Sequence, residues 1–236
     1  MSIRKTSMFV ALVGTSLFAA AANADGILTF GYTDLDGDYA GNAMNPTGPG
    51  FNGSFTANAS STGPLHSSGD VSRLIPTAGQ ADFATDFVAR SVANAQFNIS
   101  VENKDNMIGL ADGNGTFTLT DIDGDSFTGN INGFWVQGTA GRTFFNGDLS
   151  NVVFNDNGAQ DGLFNGEGNS FAGFLGFPGI FEGALVQVFI RTGVGFFDSS
   201  FANAPTNSEG ILVPTPGVAA LAGLGLLSAS RRRRTR

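Results

Sequence analysis

The chain lacks cysteine altogether and has one histidine, one tryptophan and two tyrosines in 236 residues. Without thiols there is no disulfide framework, no thiol nucleophile and no cysteine-ligated metal, so the fold must rest on apolar burial. The single histidine, His66, lies in the loop-like stretch TGPLHSSGD, and no nucleophile-elbow pattern accompanies it to complete a Ser-His-Asp relay. Positive charge is also scarce where it would matter. Of 12 lysines and arginines, seven sit at the two ends: Arg4, Lys5, Arg231, Arg232, Arg233, Arg234 and Arg236. The stretch between them sets five cations against 20 acids, a net charge of −15. Such a field repels nucleic acid and anionic lipid, so no nucleic-acid partner is expected.

Phenylalanine, glycine and aspartate are what the chain has in quantity, with 23 Phe, 34 Gly, and 16 Asp against four Glu. Phe can supply a core, and Asp belongs to turns and oxygen-ligand sites more than to helices. Between the Gly, Asn, Asp and Ser punctuation the segments alternate. In QFNISV, Phe97, Ile99 and Val101 oppose Asn98 and Ser100; in TFTLT, Phe117 and Leu119 oppose the threonines. In SFTGNINGFWV, Phe127, Ile131 and Trp135 share a face. A period of two is the mark of a half-buried strand. Further strands are expected at 27–33, 142–154, 184–192 and 210–213. The 184–192 run, apolar on both faces apart from Gln187, belongs inside a sheet. Residues 81–95 fit a strand or a helix, and 41–70, rich in Gly, Pro, Ser and Asn, read as a long irregular excursion. The fold class expected is all-β: an antiparallel β-sandwich, with a barrel as the alternative closure.

One acidic stretch recurs, TDLDGDYAGN at 33–42 and TDIDGDSFTGN at 120–130. Asp34, Asp36 and Asp38, and likewise Asp121, Asp123 and Asp125, place hard oxygens at alternate positions, a pattern that suits calcium. The spacing resembles the opening of an EF-hand loop. However, Tyr39 and Ser126 stand where that loop has its turn glycine, and Asn45 and Asn132 where it has its bidentate glutamate. The other reading is a β-hairpin tip on an Asp-Gly turn, with the extra aspartates capping amides, with or without calcium. Acids at exposed turns suit glycosidase chemistry poorly, since one of the pair must be desolvated across a sugar cleft.

The two ends have their own logic. Arg4 and Lys5 precede a mostly apolar run from Met8 to Ala22, and Ala22-Asn23-Ala24 supplies a small-x-small cleavage pattern before Asp25. That is the layout of a secretory signal peptide cut by signal peptidase; the other reading is a short membrane anchor. At the far end come Pro214-Thr215-Pro216-Gly217, a short apolar run from Val218 to Ala229 carrying Leu221, Leu224, Leu226 and Leu227, and then Arg231, Arg232, Arg233 and Arg234. The run is shorter than the roughly 20 residues of a full membrane span, and the arginines mark a cytoplasmic side.

This three-part tail resembles the PEP-CTERM sorting domains of Gram-negative bacteria. The resemblance implies recognition and cutting by an exosortase-type transpeptidase, transient anchoring in the inner membrane, and transfer to the cell surface or extracellular polysaccharide matrix. Thr215 stands where the name-giving motif has Glu. The organisation expected is therefore a signal helix at 1–24, one β-rich extracellular domain at 25–212, and a sorting signal with a short membrane helix at 213–236. Its expected character is structural or adhesive, and the alternative is a carbohydrate-binding module or carbohydrate-active enzyme. No catalytic constellation is found.

Overall fold

Period-two alternation carries the strands that make up most of the described chain. A computed structural model describes residues 27–41, 53–74, 78–173, 181–191 and 195–214. Among them are twelve strands and a single helical turn. Eight strands follow one another around a closed antiparallel ring: β1 (Leu28–Gly41), β2 (Gly53–Asn58), β5 (Asn94–Asp105), β6 (Leu110–Thr120), β7 (Ser126–Gln137), β8 (Arg142–Asn155), β11 (Phe181–Arg191) and β12 (Phe201–Pro214). Closure comes from β12 pairing with β1, Leu28 opposite Leu212 and Tyr39 opposite Phe201. The architecture is thus an up-and-down barrel and not the two-sheet sandwich the spacing first suggested; closure removes the exposed sheet edges.

Two insertions interrupt the ring. The first contains β3 (Ser68–Arg73), β4 (Gly79–Phe83) and the turn of helix α1 (Phe87–Arg90); the second is the hairpin β9 (Leu163–Asn165) and β10 (Ser170–Ala172). β3 pairs with β1 over Leu28–Thr33, while β2 takes the same edge over Asp36–Gly41. The two insertions join one another: Glu167 N–H donates to Asp82 O (2.8 Å), Asp82 N–H donates to Asn169 Oδ1 (2.9 Å), and Arg90 pairs with Glu167 (2.7 Å). Residues 41–70, expected to be irregular, thus contribute β2 and the start of β3. Residues 81–95 are neither one strand nor one helix: they hold the end of β4, α1 and the start of β5.

The inward set is aromatic. Phe30, Phe97 and Phe117 lie with ring centroids 6.1–6.4 Å apart, and Trp135 sits among Phe55, Phe145 and Phe197 at 5.0–5.2 Å. Trp135 donates from Nε1 to Ser100 O at 2.8 Å, which satisfies its one polar atom. Space for these rings is made opposite: a Cβ at Gly113 would lie 2.7 Å from Phe145 and 2.8 Å from the Trp135 indole. Lys104 is buried and fixes the segment carrying Phe196 and Phe197, donating to both their carbonyls at 3.1 and 3.0 Å and pairing with Asp198 at 3.2 Å. The five residues placed on one face of the 116–135 hairpin, Phe117, Leu119, Phe127, Ile131 and Trp135, are all buried.

Outside, the wall is polar across β2, β5, β6 and β7, while Leu110, Val136, Phe144 and Phe189 form an apolar row from β6 to β11. Asn58, Gln96, Thr118 and Thr128 form one transverse row across β2, β5, β6 and β7, and Thr56, Asn98, Thr116 and Asn130 form the next. No helix among the described residues is long and apolar enough to cross a membrane.

Candidate functional site

The second copy of the acidic motif forms the β6–β7 turn, as the hairpin reading expects. Thr120 and Ser126 close the ladder, and Gly124 takes φ of 99°, a conformation open to glycine. Asp121 organises the turn. Its Oδ1 accepts from the N–H groups of Asp123, Gly124 and Asp125 at 2.8–2.9 Å, and its Oδ2 accepts from Asn165 N–H at 2.7 Å, joining β9 to the turn. Burial pushes the Asp121 carboxyl above its ordinary value; the amides of Asn165, Asp123 and Asp125 pull it back, and the neighbouring Asp125 adds to the rise. Asp123 accepts from Asn165 Nδ2 at 2.8 Å through its Oδ2. Asp121 and Asp123 thus engage the turn and β9.

Asp125 is different. It is wholly buried, its Oδ1 accepts from Gly158 N–H at 2.5 Å, and its Oδ2 has no hydrogen-bond partner. Facing it is the loop between β8 and β9, residues 156–162, which brings in two exposed acids, Asp156 and Asp161. One carboxylate oxygen from each of Asp125, Asp156 and Asp161 lies within 4.8 Å of the other two, the sole such trio among the described residues. Within the loop Asp156 Oδ2 accepts from Gly162 N–H (3.2 Å) and Asp161 Oδ1 from Leu163 N–H (2.9 Å). Reading the sequence alone did not place Asp156 and Asp161 in a site. The signal available was NDNGAQDG (155–162), a turn-rich stretch with two acids five residues apart.

The first copy is no hairpin tip. Residues 33–41 continue β1, paired on one edge with β12 and on the other with β2 and β3. Leu35, Gly37 and Tyr39 point inward, so Asp36 and Asp38 fall on the outer wall by simple alternation. Asp34, with φ of 54°, sits at a register shift in the β12 pairing. Asp38 Oδ1 accepts from Asn203 N–H at 3.0 Å. Burial raises the Asp36 carboxyl above its ordinary value, and the charge on Asp38 adds to the rise, while the Asn203 amide opposes it. Asp34, Asp36 and Asp38 do not converge as a trio.

Other candidates fare as follows. His66 Nδ1 meets Asp86 Oδ1 at 2.6 Å on the surface, while the neighbouring Ser67 hydroxyl is spent on Asp34 O at 2.7 Å. Trp135, around which a sugar cleft was conceivable, is a core residue. The outer wall carries open depressions among the described residues. One of about 550 Å³ is lined by Thr33, Asp70, Phe144, Gln187, Phe189 and Glu209 among others; another of about 320 Å³ lies over Thr56, Asn58, Gln96, Asn98, Thr116 and Thr118.

Of the processing residues, Pro214 ends β12 opposite Phe181, so the last strand passes the expected domain boundary at 212. Ala24, Asp25, Thr215, Pro216, Gly217, Val218, Leu221, Leu224, Leu226, Leu227 and Arg231 to Arg234 lie outside the described residues. Comparison with known proteins supplies no relative: no family model, no curated protein and no solved structure matches the chain.

Proposed function

We propose that this is an exported β-barrel protein of structural or adhesive character, sorted to the cell surface or extracellular matrix by an exosortase-like system. The observation that carries the reading is the pair of ends. A signal-peptide pattern closing at Ala24 and a proline–apolar–arginine tail from Pro214 flank a body of net charge −15 that holds none of the terminal arginines. The packed interior supports a structural role, because Trp135 and the Phe rings fill the barrel instead of lining a cleft. So do the rows of Asn, Gln and Thr across β2, β5, β6 and β7, which offer donors and acceptors without charge.

That same wall favours a second reading, a module that holds a neutral polysaccharide. The shallow depression over Thr56, Asn58, Gln96, Asn98, Thr116 and Thr118 can hydrogen-bond a hydroxyl-rich chain at several points. Retardation in polysaccharide-containing native gels, lost on Asn98→Ala with Thr116→Ala, would distinguish binding from a purely structural role.

The sorting reading is tested by fractionating cells that express the chain with Arg231 to Arg234 all replaced by serine. The unaltered protein is expected in the surface or matrix fraction and the variant in the inner-membrane or periplasmic fraction. Identical distributions would refute the reading.

A further inference from the structure

We propose that Asp125, Asp156 and Asp161 form a calcium site that ties the loop between β8 and β9 to the β6–β7 turn. The inference rests on the geometry of this trio and is independent of the sorting reading.

The central observation is the Asp125 carboxylate. It is fully buried, and its Oδ2 lacks any hydrogen-bond partner. A buried anionic oxygen left unpaired is costly, and structures normally neutralise it with a donor, a cation or a metal. Among the described residues no side-chain cation is paired with Asp125: Arg90 pairs with Glu167, Lys104 with Asp198, and His66 meets Asp86. What does face it is more negative charge, Asp156 and Asp161, with one oxygen of each within 4.8 Å of the others. Three carboxylates gathered this closely repel one another unless something positive sits among them.

The spacing and the ligand type point to calcium. An ion bonded at 2.3–2.6 Å to three equidistant oxygens holds them up to roughly 4.0–4.5 Å apart, so a trio within 4.8 Å needs at most a shift of about a few tenths of an ångström to close on it. All three ligands are hard oxygens, with no imidazole or thiolate to favour zinc. Two come from an exposed loop that can adjust, which suits the irregular shell of calcium better than the strict octahedron of magnesium. Three carboxylates leave three or more positions for water or carbonyl oxygen. Gly158 shows how closely the loop and turn approach: a Cβ there would lie 2.7 Å from the Asp123 carbonyl carbon and 3.1 Å from Asp125 Oδ1. Asp123, central to the sequence motif, is outside the trio.

The test is calorimetric titration of the purified protein with calcium chloride and, separately, magnesium chloride, together with melting curves in calcium and in chelator. Asp156→Asn with Asp161→Asn is the main variant, because both residues are exposed and the fold should tolerate it; Asp123→Asn is the comparison. We expect about one calcium per chain and a melting temperature about 5–10 °C higher at a hundredfold excess over Kd. Affinity should fall at least about tenfold in the double variant, while Asp123→Asn changes it less than about threefold and magnesium binds far more weakly. No calcium binding, or binding that the double variant leaves intact, would overturn the proposal. So would equal affinity for magnesium, or a larger loss from Asp123→Asn than from the double variant.

Discussion

The two copies of the Thr-Asp-x-Asp-Gly-Asp motif begin alike and fold differently. In 33–38 the chain runs on as strand β1, whereas in 120–125 it reverses between β6 and β7. The glycines show why. Gly37 points into the barrel, where a Cβ would clash with Thr206, lie 2.9 Å from the Ala204 carbonyl and 3.2 Å from Phe55; it is there for space. Gly124, with φ of 99°, is there for conformation. The aspartates divide similarly. Asp121 turns back on three amides of its own turn, while Asp34 is exposed and Asp36 and Asp38 share the Asn203 amide across to β12. Local sequence permits both outcomes, and the decision lies with partners: β1 has a strand on each edge along its length, and the second copy has the hairpin it closes.

Substitutions in the two copies should have unequal effects. The hairpin of the second copy depends on its inward face, so Phe117→Ala should cost about 3–5 kcal/mol in denaturant unfolding, against less than about 1 kcal/mol for Thr118→Ala. Equal costs would mean the register is wrong. Next, Asp121→Ala strips acceptors from four amides and should cost about 3 kcal/mol. Asp34→Ala should cost no more than about 1 kcal/mol, since Asp34 is exposed and already holds the left-handed conformation. If the two copies respond equally, the distinction drawn between them fails.

The glycines give a smaller separation. Gly37→Ala overpacks the interior and should cost about 2–3 kcal/mol, and Gly124→Ala about 1–2 kcal/mol from backbone strain alone. The reverse order in thermal melts would contradict their assigned roles. Smallest is the pH effect at Asp36. Folding raises this carboxyl above its unfolded value of about 3.9, so the stability linked to it is full below that value and is lost as pH rises through the folded one. Asp36→Asn should therefore raise the melting temperature slightly at about pH 7, with the difference vanishing towards about pH 4. A variant less stable at about pH 7 would reverse the sign.

Much of the barrel was legible in the sequence, because alternation is a local property. The faces of β5, β6 and β7 follow directly from Phe97, Phe117 and Phe127 and their neighbours. The second half of β1 was legible in principle, since Leu35, Gly37 and Tyr39 alternate with the aspartates, but Asp at every other position reads as turn. β2 went unseen because six residues with only Phe55 and Ala57 facing inward make too short a pattern among so much Gly, Pro and Ser. Closure could not be read at all. It depends on Leu28 meeting Leu212, and nothing local in either strand announces a partner so far along the chain. The acidic trio was hidden for the same reason, as Asp125 meets Asp156 and Asp161 only once β7 and β8 have paired.

Pairing of Leu28 with Leu212 also places the first and last described strands side by side. The central claim is that both ends are removed on the way to the surface. Intact-mass analysis of protein released from the cell surface tests it most directly. The species expected begins at Asp25 and ends between Pro214 and Gly217, with Arg231 to Arg236 absent. Recovery of the chain with those arginines as the sole surface species would contradict it.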